Sequence, residues 1–235
     1  MSERIKLLIF PAIIFLAGVL LFLWLNDLSL RADETKPMNG ENMKLPQPKF
    51  KSQTSVEEAL VNRRSVREYK QDSLSLEEVS RLLWAAQGVT AKWGGRTAPS
   101  AGALYPLEVY LLAGKVRGLK PGLYHYDPEK HTITKKKEGD LREELIQASL
   151  GQGQILSAPA TLVITAVYER TTKKYGQRGV RYVHMEVGLA AENVYLQAES
   201  LGLGTVFLGA FEDEEVKKAL GIEEEPLAIM PVGKN

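Results

Sequence analysis

The 235-residue chain contains no cysteine. That absence removes disulfides, thiolate nucleophiles and thiolate-bound metals in one step. Histidine is nearly as scarce, with three residues, His125, His131 and His184. None is spaced to another histidine or to a carboxylate pair as a metal site needs, so no metal is expected. An excess of one charge is also missing: 30 basic residues against 29 acidic ones leave a net charge of +1. The one short basic cluster is not extended by basic runs with aromatics, which argues against a nucleic-acid surface. No internal repeat is found, and no twin-arginine signal opens the chain.

What is present begins with an apolar run. Leu7 to Leu25 is uncharged and overwhelmingly apolar, long enough to cross a hydrocarbon core of about 30 Å as a helix. Arg4 and Lys6 precede it, and Asp27, Arg31, Asp33 and Glu34 follow. The positive-inside rule then keeps the N-terminus in the cytoplasm and puts the remainder outside. A cleaved signal peptide is the alternative; its apolar region would be unusually long, and no small-x-small site stands out before Ala32. The organisation expected is a single-pass membrane anchor over 1–25, a polar tether over 26–50 with Pro37, Pro46 and Pro48, and one domain over 51–235.

Within that domain, Ser55 and Glu58 have capping-box spacing, and Val56, Ala59 and Leu60 predict a helix buried on one side. Ser75 and Glu78 open a second helix, whose stripe of Leu76, Val79, Leu82, Leu83 and Ala86 ends at Gly88. Strands are predicted at 107–113 and 159–168, and a hairpin over 122–134 turns at Asp127-Pro-Glu-Lys. A short helix at 141–150 is followed by a long one at 182–201, stopped by Gly202. Val183, Val187, Ala190, Ala191, Val194, Tyr195 and Ala198 give the long helix a wide apolar face, either core or subunit interface. Strands at 204–210 and 226–232 bracket a helix at 213–220. The fold class expected is α+β, a mixed sheet flanked by helices around a long central one.

Two segments carry chemistry. Asn62-Arg-Arg-Ser-Val-Arg67 puts three guanidiniums and a hydroxyl within six positions. Arg63 and Arg64 are expected on the last turn of the first helix. In the extended stretch that follows, Arg63, Ser65 and Arg67 alternate and project to one side. Guanidiniums fork onto anionic oxygens, so the set suits a dianionic phosphate; a solvated basic helix end is the plainer alternative. Ala98-Pro-Ser-Ala-Gly-Ala-Leu-Tyr-Pro106 is a loop of small residues that lets backbone lie against something flat.

From position 62 onward the chain resembles the nitroreductase family of FMN-dependent oxidoreductases. Within it, the likeness is to the SagB-type branch, which includes dehydrogenases that oxidise azolines to thiazoles and oxazoles in peptide natural products. Four segments carry it: Arg63 to Arg67, Thr97 to Tyr110, Arg178 to Gly188, and Gly202 to Phe211 with Pro231-Val-Gly233. The resemblance implies that Arg63, Arg64, Ser65 and Arg67 bind the FMN phosphate and ribityl chain. Pro99, Ser100, Ala101 and Gly102 would lie near the isoalloxazine, contributed by the same subunit or a second one. Leu208, Gly209 and Ala210 would sit at the ring edge, with Lys234 reaching the phosphate.

The branch associates a Lys-Tyr pair before the long helix with proton removal, and Lys174-Tyr175 occupies a comparable place. A lysine serves as base only where burial or a neighbouring cation lowers its pKa; otherwise Lys174 is a solvated loop charge. Where the branch often has a histidine after the helix glycine, this chain has Leu189 after Gly188. The function implied is an FMN-dependent, homodimeric oxidoreductase acting on an organic or peptide-derived substrate. An NAD(P)H-dependent nitro or quinone reductase, or a non-catalytic flavin-binding partner at the membrane, are the alternatives.

Overall fold

The structure, a computed structural model, describes residues 42–235. Its elements begin with β1 (Asn42–Lys44), α1 (Val56–Asn62) and α2 (Leu76–Gln87), then β2 (Leu107–Ala113) and the hairpin of β3 (Gly122–Asp127) and β4 (Thr132–Glu138). Two short helices follow, α3 (Arg142–Ala148) and α4 (Gln154–Ser157), then β5 (Ala160–Ala166), α5 (Glu169–Tyr175) and the long α6 (Arg178–Ser200). The chain closes with β6 (Leu203–Thr205), α7 (Asp213–Leu220) and β7 (Glu225–Lys234).

Alternation along the strands sets the layers. In β2, Leu107, Val109, Leu111 and Ala113 join one apolar cluster, and Tyr110 and Leu112 join another. Successive strand side chains point to opposite faces, so the sheet is buried on both sides. The first cluster includes Leu82 and Leu83 of α2 and Val187 and Val194 of α6; the second includes Leu145 of α3 and Val216 of α7. Every residue of α6's predicted apolar face is buried, so that face is core. The sheet order is β1-β4-β3-β2-β5-β7-β6. Its strand pairings are antiparallel, while isolated parallel bridges at Ser65–Thr205 and Leu74–Val116 supply the mixed character.

Several expectations change. The folded domain reaches further toward the N-terminus than residue 51. Asn42–Lys44 pairs with β4, Leu45 is buried with its N–H on the His131 carbonyl, and the Pro46 carbonyl accepts from Ser80 Oγ. Ser55 caps α1 through the Glu58 N–H, but the box is complete only at Ser75 and Glu78 of α2. Val56 and Leu60 are exposed, leaving Ala59 as the buried residue of α1. The predicted strand at 204–210 ends at Thr205, because the chain then leaves β7 and touches it again only at Leu208–Ile229. No helix among the described residues is long and apolar enough to cross a membrane. The run at 7–25 lies outside the described residues, so the anchor expectation rests on sequence alone.

Candidate functional site

The basic segment is placed by a helix end and a sheet edge. Arg63 caps α1, its N–H on the Ala59 carbonyl at 2.9 Å. Both arginines therefore lie past the helix rather than on its last turn. The chain then runs beside β6, where the Val66 N–H donates to the Thr205 carbonyl at 2.9 Å. Val66 can approach so closely because its neighbour is Gly204, where an added Cβ would sit 2.6 Å from Val66 Cβ.

Tyr195 of α6 gathers this segment. The Arg63 guanidinium lies 5.1 Å from the centre of its ring, and Ser65 Oγ is 3.2 Å from its hydroxyl. That hydroxyl also accepts the Phe207 N–H at 2.7 Å. Arg67 lies within reach of the Ser65 carbonyl at 3.5 Å and remains exposed. Buried Tyr69 donates to the Val66 and Pro231 carbonyls, and burial pushes its phenol well above the usual tyrosine range. Arg63 and Ser65 thus form one cradle on Tyr195, with Arg67 exposed two residues further on. Arg64 turns away, donating to the Val61 and Arg63 carbonyls.

Lys234 ends β7 inside the ladder, opposite Leu203, and its carbonyl accepts from Lys70 N–H. The Leu208 side chain points into the core and its backbone pairs with Ile229, whereas Gly209 and Ala210 lie exposed beside Phe207. Leu208 accordingly offers no side chain to a ligand; Gly209 and Ala210 leave room for one.

The small-residue loop forms a second cluster. Gly102, Ala103 and Tyr105 have φ of 65°, 54° and 46°, a region that costs L-residues about 1–2 kcal/mol each. Side chains hold the turn in place. Ser100 Oγ accepts the Tyr105 N–H at 2.9 Å, Arg170 donates to the Tyr105 carbonyl at 3.1 Å, and the Arg96 guanidinium lies 4.4 Å from the Tyr105 ring centre. Arg170 is fixed by Glu108, which also meets His125 at 2.6 Å. Burial opposes ionisation of Glu108, yet those two partners hold its carboxyl below the usual range.

Lys174 and Tyr175 close α5, a helix rather than the loop allowed for above. Both reach Gly102: a Cβ there would lie 2.6 Å from Tyr175 Oη and 2.9 Å from Lys174 Nζ. The predicted proton-handling pair and the predicted ring-contacting loop are therefore in contact. Ala103 and Tyr105 of the loop also wall a hollow of about 560 Å3, together with Trp93, Arg96 and Glu129. Of the histidines, His125 bonds the Glu108 that holds Arg170, while His131 bonds Tyr126 and Ser80 and His184 bonds Tyr168. Among the described residues no three His, Asp or Glu side chains are grouped to hold a metal.

A family model, the nitroreductase family, matches residues 60–234. The chain belongs to the nitroreductase family. Members of that family typically bind flavin and commonly act as dimers. It is 50% identical over 195 residues to MJ1384 of Methanocaldococcus jannaschii, which carries a nitroreductase name, across 83% of this chain and 98% of that protein. It is 30% identical over 138 residues to the microcin B17-processing protein McbC of Escherichia coli, across 57% of this chain and 51% of McbC. Among solved structures, a nitroreductase-titled crystal structure from Ralstonia eutropha JMP134 aligns with a TM-score of 0.73 at 31% identity, over 85% of this chain and 93% of that one.

Two residues central to this nitroreductase-family chain escaped the sequence reading. Tyr195 looked like one more apolar position. Its partners Ser65 and Phe207 lie 130 and 12 residues away, and no spacing rule links them. Glu186 left a signal: a carboxylate between Val183, Val187 and Ala190 on a buried face.

Proposed function

We propose that this chain is an FMN-dependent oxidoreductase of SagB type that works as a homodimer. The observation that carries the reading is the cradle of Arg63 and Ser65 on Tyr195, with Arg67 exposed beside it. Two permanent cations and a hydroxyl suit a dianionic phosphate, and the exposed Gly209 and Ala210 nearby leave space for a flat ring. Bound there, the flavin would exchange a hydride or electrons with a substrate, while the protein supplies position and exclusion of water.

Helix α6 supports the dimer. Tyr195 and Glu186, which mark the cradle and the small-residue loop, stand nine residues apart. At 3.6 residues per turn that spacing puts them on opposite sides of the helix, roughly 13 Å apart along it. One chain therefore presents two half-sites facing different ways, and the loop of a second copy would complete the first half. Val56 and Leu60 of α1 and Met185 and Leu189 of α6 are exposed apolar residues such a partner would cover.

In this arrangement Lys174 and Tyr175, set against Gly102, would move the substrate's proton. The hollow bounded by Trp93 and Arg96 would admit an organic substrate. Likeness to McbC favours a peptide-derived one, and Leu189, where the SagB-type branch often has a histidine, argues against azoline oxidation itself.

Purified full-length protein should be yellow and take up FMN stoichiometrically. Each charged hydrogen bond contributes about 1.5–3 kcal/mol, so Arg63→Ala with Arg67→Ala should weaken FMN binding about 100-fold or more. Colourless wild-type protein that takes up no added FMN rejects the proposal. Anaerobic titration with NADH, NADPH and azoline-containing peptides then identifies the reductant.

A further inference from the structure

The cradle and the Lys174–Tyr175 pair leave one buried ionisable group unused. Glu186 is 3% exposed, sits in the apolar face of α6, and its Oε1 has no hydrogen-bond partner. It lies beneath the small-residue loop, facing Ser100. The Ser100 hydroxyl accepts from Tyr105 N–H, so its own proton is free to be given, and the carboxyl is the acceptor it faces. Ser100 thereby braces the strained turn, which packs on the long helix. Gly102, within that turn, is the residue that Lys174 and Tyr175 abut.

We propose that Glu186 is a positioning residue that clamps the 99–106 loop shut while it carries its proton and releases the loop when it ionises. As a statement about the loop this needs no flavin. As a statement about catalysis it rests on the function proposed above, because the loop sets where Lys174 and Tyr175 stand.

Burial raises the Glu186 carboxyl to about 7, against the opposing pull of Ser100 and then of Arg96. The Arg96 guanidinium favours the ionised form; Gln87 holds it, and Glu108, Glu129 and Arg170 lie around it in turn. If opening the loop lets water reach Glu186, the open state has an ordinary carboxyl and binds fewer protons than the closed one. Opening then becomes easier as pH rises from the ordinary carboxylate range toward 7, by up to about tenfold per pH unit. Above that both states are ionised and the dependence flattens.

The test is amide hydrogen exchange on the flavin-free full-length protein from pH 5 to 8, corrected for intrinsic base catalysis. Protection of the Tyr105 amide should fall about tenfold per unit between pH 5 and 7, while Leu111 in the buried strand β2 stays flat. Glu186→Gln, always neutral and still an acceptor for Ser100, should abolish the slope and keep the low-pH protection. A flat Tyr105 profile in the wild type, or a slope that survives in Glu186→Gln, overturns the inference. The wild-type profile decides the matter alone if that variant does not fold. A protein that shows the slope yet takes up no FMN would retain the clamp and lose the flavin reading; FMN uptake with a flat profile would do the reverse.

Discussion

Gly204→Ala tests how the cradle is held in place. Gly204 lies in β6, and a Cβ built on it stands 2.6 Å from Val66 Cβ and Cγ1 and 2.8 Å from Cγ2. Carbon atoms settle at about 3.5–4.0 Å, so the Val66 segment must retreat by about 1 Å. That retreat stretches the Val66 N–H contact with Thr205, now 2.9 Å, beyond hydrogen-bonding range. Overpacking costs about 1–3 kcal/mol and the lost hydrogen bond about 1 kcal/mol, so a loss near 3 kcal/mol is expected in urea unfolding followed by tryptophan fluorescence. Ser65 and Arg67 move with Val66. Losing one charged phosphate contact at about 1.5–3 kcal/mol should weaken FMN binding, read by quenching of flavin fluorescence, at least about tenfold. Val66→Gly removes all three atoms that the added methyl group would meet. The double variant should therefore recover at least about 1 kcal/mol relative to the sum of the singles. A Gly204→Ala protein with wild-type stability and FMN affinity, or a double variant with purely additive losses, refutes the argument.

Three further outcomes follow from other contacts in the structure. Gly102→Ala places a Cβ on Lys174 and Tyr175 at a φ of 65°; both are flexible side-chain ends, so stability should fall by only about 1 kcal/mol while turnover falls about 100-fold from displacement of the pair. Equal losses in the urea midpoint and in turnover would contradict this. Tyr195→Phe frees Ser65 and leaves the Phe207 N–H without its acceptor, costing about 1–3 kcal/mol in urea unfolding. Arg142→Met removes a buried guanidinium that bonds Asp140 and the Leu156 and Ala158 carbonyls, and should cost about 3–5 kcal/mol. Asp140 is held below the usual carboxylate range first by its Arg142 hydrogen bond. Its contribution is present above the unfolded carboxyl's pKa and lost as pH falls through the depressed one, so the gap between wild type and variant should narrow in acid titrations.

Elements whose stabilising signals are local could be read from sequence. Ser75, Glu78 and Gly88 delimit α2 by their own chemistry, and Asp127 caps the hairpin turn by accepting the Glu129 and Lys130 N–H groups. Helix α5 could not be read, because Glu-Arg-Thr-Thr-Lys-Lys-Tyr has no apolar period and the helix packs on α6 through backbone at Thr171, Thr172 and Gly179. The polar strand β1 was equally silent, since the partner that orders it is the edge of β4. In the candidate site, Arg63 and Ser65 stand together at Tyr195, with Arg67 exposed beyond them. What pins them is Tyr195, contributed by a helix far along the chain, and one-dimensional spacing carries no trace of that meeting.

That single phenol has a consequence for regulation. Because the same oxygen fastens the stretch bearing the arginines and the stretch leading to Gly209, neither can shift without tugging on the other. A molecule seated against one end would be felt at its opposite end, so head and tail should engage in one cooperative step, and variants at either place should prove epistatic.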